Sequence, residues 1–144
     1  MVVSQLETNC TIALDTNVLI YSCDQADRQR QKKALELVSG AVEGVLLWQV
    51  ACEFVAASRK LSAQGFTAGH AWDRLAEFLA LFPLVLSTAG VLERARKLHP
   101  HDGWSFWDAT IVAACLESRV TRLYSEDLPG RSLPPGLEII NPFA

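Results

Sequence analysis

Along this chain, apolar residues arrive in short bursts whose spacing changes from one burst to the next, and that spacing predicts the elements. Ile12 to Leu14 is an uninterrupted apolar run, predicting a buried strand. The polar triplet Asp15-Thr16-Asn17 interrupts it, and Val18 to Cys23 then predicts the first turns of a helix. Asp24 to Val42 carries Leu35, Val38 and Val42 at helical spacing, predicting an amphipathic helix with those three on its apolar side. Gly40 and Gly44 bracket a break before Val45-Leu46-Leu47-Trp48, a second strand. From about Val50 the spacing of Val50, Phe54, Ala57 and Leu61 predicts a helix ended by Gly65. Thr67 reads as the N-cap of another, with Trp72, Leu75, Leu79 and Phe82 as its core stripe. Pro83 stops that helix, and Leu84 to Leu86 predicts a third strand. Val91, Leu92, Ala95 and Leu98 predict a further helix, followed by a loop over Pro100 to Gly103. Ser105 to Ser118 is apolar almost throughout from Ile111 to Leu116, a helix covered on most sides. Leu123 to Ser125 and Leu137 to Ile140 complete the set as strands four and five, separated by a loop containing Pro129, Gly130, Pro134 and Pro135.

Strands alternating with helices imply right-handed crossovers and a parallel sheet covered on both faces. The expected fold class is therefore α/β, a three-layer α/β/α sandwich with a central parallel sheet. At 144 residues, half of them hydrophobic, with no internal repeat and no linker, the chain is expected to form a single domain over residues 1–144.

Composition narrows the function. A formal charge of -3 excludes the overall basic field of a non-specific nucleic-acid binder, so any nucleic-acid contact must be local. The densest basic cluster is Arg28, Arg30, Lys32 and Lys33, a solvated helix face or a contact for a polyanion. Cys10, Cys23, Cys52 and Cys115 are scattered, with no C-x-x-C pair and no histidine at zinc-ligand spacing; the expectation is free, buried thiols in a reducing compartment. Met1 to Asn9 lacks the pattern of a secretory leader and no apolar run is long enough to span a bilayer, so a cytoplasmic location is expected, with no membrane partner.

Four acids change this picture. Asp15 follows strand one, Glu53 lies one turn into the helix after strand two, Asp108 sits in the first turn of the Ser105 helix, and Asp127 follows strand four. Each has an ordinary local role: a helix cap, a first-turn acid facing the helix dipole, the third member of a Ser105-x-x-Asp108 capping box, a turn acid. Yet all four are expected at the carboxyl edge of one sheet, where open parallel sheets place their ligand sites. Carboxylates gathered in a cleft repel one another unless a cation neutralises them, and oxygen-only ligands favour Mg²⁺ or Mn²⁺. Such an ion supports phosphodiester hydrolysis. Thr16, Asn17, Ser105 and Ser125 flank the acids, as residues that could orient ligands or water.

These residues resemble a known family. Leu14-Asp15-Thr16-Asn17-Val18-Leu19, Cys52-Glu53-Phe54, Ser105 to Ala114 and Ser125-Glu126-Asp127-Leu128 are similar, in order, to the acidic motifs of PIN-domain nucleases, especially VapC-like toxins. The resemblance extends over nearly the whole chain. It implies a Mg²⁺- or Mn²⁺-dependent endoribonuclease, a homodimer, and a cognate antitoxin that blocks the acidic cleft. On the matching positions Asp15, Glu53, Asp108 and Asp127 become the catalytic and metal-binding acids. Cys52 departs from the small polar residue common before the acid. Leu128-Pro129-Gly130-Arg131 departs from the usual loop, leaving open the contribution of Asp127 and an RNA contact from Arg131. Asp102, His99 and His101 receive no role. Two rival readings exist: a silent PIN-like regulator that binds RNA or protein, and a small-molecule phosphohydrolase with Asp15 as nucleophile. The second is disfavoured because no aspartate follows two residues after Asp15.

Overall fold

The computed structural model describes residues 10–99, 104–128 and 135–144. Five strands, β1 (Ile12–Leu14), β2 (Gly44–Leu47), β3 (Leu84–Val85), β4 (Arg122–Tyr124) and β5 (Glu138–Ile140), form one sheet in the order β3-β2-β1-β4-β5. Every pairing is parallel. The helices are α1 (Thr16–Ser22), α2 (Arg28–Gly40), α3 (Trp48–Ala57), α4 (Ala68–Leu81), α5 (Ala89–Leu98) and α6 (Phe106–Glu117), with a 3₁₀ segment over Ser58–Gln64.

Chain direction sorts these helices into layers. The path β1 to β2 to β3 moves one way across the sheet, whereas β3 to β4 returns past β2 and β1. Right-handed crossovers then put α1 to α4 on one face and α5 with α6 on the other. The packing agrees: α5 lies on α6, while α1 contacts α2 and α3, and α3 contacts α4. The result is the three-layer α/β/α sandwich. Its core is built on Ala13, Leu46 and Leu123 from the strands and Val18, Phe54 and Val112 from the helices. Helix α6 is buried from Ala109 to Cys115, as its continuous apolar run required.

Several predicted faces turn out differently. Helix α2 starts at Arg28, capped by Asp27, and buries Ala34 with Leu37 and Val38 partly covered; Leu35 is exposed and Val42, beyond the helix, is 89% exposed. In α4 the core stripe is Ala71, Leu75 and Phe78, continued by Phe82, while Leu79 is exposed and Trp72 is 60% exposed. Leu75 and Phe82 are buried as predicted, but Ala71 and Phe78 take the places expected of Trp72 and Leu79. Small Ala71, not bulky Trp72, faces the closely packed neighbour, a choice that residue size alone does not reveal. Trp48 belongs to α3 rather than to β2 and is exposed, Leu86 lies past the end of β3, and Leu92 faces outward. The thiols are all free, but Cys23 and Cys115 alone are buried, Cys52 being exposed and Cys10 partly covered. The loop predicted over Pro100 to Gly103 lies outside the described residues, as does its counterpart from Pro129 to Pro134.

Gly44 opens β2 because nothing larger fits: a Cβ there would stand 2.7 Å from the ring of Phe82 and 3.0 Å from the Ala41 carbonyl oxygen. Phe82 is itself buried and has little room to yield. Gly44→Ala is expected to cost about 1–3 kcal/mol by overpacking, measured as a lower midpoint in denaturant unfolding.

Candidate active site

The sheet creates its own crevice. From β1 the chain runs towards β2, whereas β4, on the other side of β1, leads to β5, so connections diverge between β1 and β4. In parallel α/β sheets this divergence opens a ligand crevice beyond the carboxyl ends of the strands. Leu14 is paired with Tyr124, which sets Asp15 beside Ser125 at that point.

Asp15 is only 7% exposed. Its Oδ1 accepts from the Thr16 backbone N–H at 2.7 Å and its Oδ2 from the Ser125 hydroxyl at 2.7 Å. Asp15 is thus the residue preceding α1 and a cleft carboxylate at once, and the capping role is not an alternative to the chemical one. Burial pushes its carboxyl above the ordinary range, and the charges of Asp127 and Asp108 push the same way, against the two hydrogen bonds.

Asp127 is held by Asn17, whose Nδ2 donates to Asp127 Oδ2 at 3.1 Å and to Ser125 Oγ at 3.3 Å. Asn17 Oδ1 accepts the Glu126 N–H at 3.3 Å, and Ser125 Oγ accepts the Leu128 N–H at the same distance. Asn17 and Ser125 therefore stitch the turn after β4 onto the start of α1. Glu53 projects from the middle of α3. Its Oε1 accepts from the Thr16 hydroxyl at 3.3 Å and from Gln49 Nε2 at 3.5 Å, leaving Oε2 with no donor among the described residues. Burial raises the Glu53 carboxyl, followed by the charge of Asp15, with Asp108 adding to it. Asp108 gives its backbone N–H to Ser105 Oγ at 3.1 Å, and no described residue donates to its carboxylate. The predicted capping box is thus half formed, with the acid left to the cleft.

Asp15, Glu53, Asp108 and Asp127 all line one open cleft of about 520 Å³. Thr16, Asn17 and Ser125 each touch a side chain of one of these acids, whereas Ser105 reaches Asp108 only through its backbone. The predicted basic patch does not join them. Arg28, Lys32 and Lys33 are exposed on α2 away from the cleft lining. Arg30 is spent internally, its Nε donating to Glu126 at 2.8 Å and its Nη1 to Asp27 at 3.0 Å, with the guanidinium 5.3 Å from the Tyr21 ring centroid. Arg131, His101 and Asp102 lie outside the described residues, and exposed His99 packs its ring edge-on to Phe106 without reaching the cleft.

Sequence reading missed three contributors. Glu126 also lines the cleft, where the Tyr21 hydroxyl donates to it at 2.6 Å; that bond, more than burial, pushes the tyrosine up to about 12. Gln49 links Glu53 to α6, its Nε2 donating to the Trp107 carbonyl at 3.2 Å and its Oε1 accepting from Thr110 Oγ1 at 2.6 Å. Lys60 lines the cleft too. The legible signal for these last two was helical spacing from Glu53, at four residues before and seven after.

A family model described as PIN domain matches residues 12–128. The chain belongs to the PIN-domain family. Among solved structures, this PIN domain is similar to a chain of a toxin-antitoxin complex from Klebsiella pneumoniae, at 20% identity, TM-score 0.65, covering 92% of this chain and 98% of that one. It is also similar to Mycobacterium tuberculosis VapC20, titled a sarcin-ricin loop cleaving toxin, at 20% identity, TM-score 0.58, covering 78% of this chain and 87% of that one. At such identity the likeness is one of fold. No curated protein sequence matches the chain. Among the described residues no helix of this PIN domain is long and apolar enough to cross a membrane.

The donor set suits a hard divalent ion because it is made of oxygens, several of them without a protein donor, and because the charges of neighbouring acids push the Asp15 and Glu53 carboxyls up. Among the described residues no three acid, histidine or cysteine side chains come together as a group that could hold a metal ion directly. A hydrated ion held by one or two carboxylates is the mode that fits, as Mg²⁺ prefers.

Proposed function

We propose that this PIN domain is a metal-dependent endoribonuclease that hydrolyses RNA phosphodiester bonds, the toxin of a toxin-antitoxin pair. The observation that carries this reading is that acids from four separate segments line a single cleft at the divergence point of the sheet. Likeness to a toxin-antitoxin complex and to VapC20 supports the antitoxin partner and the RNA substrate, while the homodimer rests on the family resemblance alone.

Asp15, Glu53, Asp108 and Asp127 would hold hydrated Mg²⁺ or Mn²⁺, one or two of them directly and the rest through its water, and the ion when bound stabilises charge on the phosphate and favours ionisation of attacking water. The protein's own part is positioning. Thr16 and Gln49 orient Glu53 through Oε1, so that Oε2 is the atom presented to the cleft and able to accept a proton from water. Water oxygen bonds to phosphorus, its proton passes to Glu53 Oε2, and the bond to the departing ribose oxygen breaks, with solvent protonating that oxygen. Ser125 and Asn17 keep Asp15 and Asp127 in register across β1 and β4.

The purified protein is expected to cleave total RNA in Mn²⁺ or Mg²⁺ and to stop when chelator is added. Cleavage that persists in chelator excludes the metal mechanism; tight RNA binding without turnover in any metal points to a silent regulator instead. Turnover of a generic phosphate monoester in place of RNA would revive the small-molecule reading.

A further inference from the structure

We propose that Lys60 is the residue that grips the substrate strand, its ammonium contacting a non-bridging phosphate oxygen beside the acidic cleft; this rests on the ribonuclease reading above. Lys60 is the one cation lining the cleft among the described residues, on a wall otherwise faced by Asp15, Glu53, Asp108 and Asp127. Its ammonium pairs with none of them within 4.0 Å and makes no side-chain hydrogen bond among the described residues, whereas Arg30, the cation expected to meet RNA, is already held by Glu126 and Asp27. An ammonium on the lining of an acidic cleft that closes on none of its carboxylates is free to receive an anion. A polyanion needs such a foothold in a protein of net charge -3.

The backbone beneath Lys60 is firmly placed. Ser58 and Leu61 are buried, the Ser58 hydroxyl donates to the Val55 carbonyl at 2.8 Å, and the 3₁₀ segment is closed by Gly65 in the left-handed region at φ 81°. Gln64 ties the segment across to the α1–α2 connection, donating to Asp24 Oδ1 at 2.7 Å and accepting from the Gln25 N–H at 2.9 Å. A flexible, exposed side chain thus rises from a fixed base on the helical face that also carries Glu53, suited to a point-charge contact with a strand whose phosphates it need not read in sequence.

The test compares Lys60→Met and Lys60→Arg with the parent, using a short fluorescein-labelled single-stranded oligoribonucleotide of mixed sequence. Binding is measured in the Asp15→Asn background from about 50 to about 200 mM salt, where each phosphate contact contributes about -0.7 to the slope of log affinity against log salt. Lys60→Met is expected to weaken binding about 3–10-fold and to reduce that slope by about 0.7, with Lys60→Arg restoring both. In the cleavage-competent protein, Lys60→Met should raise KM by a similar factor with kcat little changed. An unchanged slope and KM overturn the contact even if cleavage is robust. A lower melting temperature with an unchanged slope overturns it too, assigning Lys60 to screening of the acids. A parent that neither binds nor cuts RNA overturns the ribonuclease reading, and the contact with it.

Discussion

Asp15→Asn is expected to lower RNA cleavage by about a thousandfold, ~4 kcal/mol in the barrier, while the protein still folds. The substitution is nearly isosteric at a buried position. The Asn side-chain oxygen can still accept from the Thr16 N–H, but the Ser125 hydroxyl already accepts from Asn17 and from the Leu128 N–H, so its bond to position 15 is lost. What also disappears is a negative charge that burial, Asp127 and Asp108 all make costly, which offsets the lost bond, so the melting temperature should change little. Asp108→Asn is the sharper companion, because no described residue donates to that carboxylate and its loss removes no observed protein contact. Single-turnover cleavage and thermal melts on both variants decide the matter. Full activity in either one would contradict its assignment.

Stability of the metal-free protein should fall as pH rises, and a divalent ion should remove that fall. Both Asp15 and Glu53 have carboxyls raised first by burial and then by neighbouring acids. A carboxyl raised in the folded state holds its proton more tightly there than in the unfolded chain. Its contribution to stability is therefore fully present below the ordinary carboxylate range, about pH 4, and is lost as pH climbs through the raised folded values. Asp27 and Glu93 are lowered, by the Arg30 backbone N–H and the Arg96 guanidinium respectively, and act in the opposite sense below that range, so the optimum should be weakly acidic. Metal binding to the ionised acids adds about 2.7 kcal/mol at a hundredfold excess over Kd, which for a chain of this size is roughly 5–10 °C. Melting curves from about pH 5 to about pH 8, with chelator and with Mn²⁺, test this, since carboxylates near their ordinary range are ionised throughout that interval. Identical curves with and without the ion, or a chelated protein that melts higher at alkaline pH, would remove the metal from the site.

The structure also redistributes the work among polar residues. Arg30 reads in the sequence as part of a basic surface, yet it lies between Tyr21 and Phe143, 5.9 Å from the Phe143 ring centroid, and locks Glu126 against α2. Asp127 is the next residue, and its carboxylate is held from the other side by Asn17. A residue that looked like a substrate contact thus supports the turn that carries an acid.

Read alone, the sequence determined the α/β class, the order of strands and helices, and the four acids at strand ends and helix starts. Those features follow from local periodicity and from polar residues interrupting apolar runs, which neighbours along the chain suffice to specify. Only the tertiary structure decided that β1 lies between β2 and β4, bringing Asp15 beside Ser125; that Ala71 rather than Trp72 enters the core; and that Lys60, not Arg30, faces the cleft. These depend on which surfaces meet across long separations in sequence, where packing density and pairing of buried charge select one arrangement among several that local spacing permits equally well.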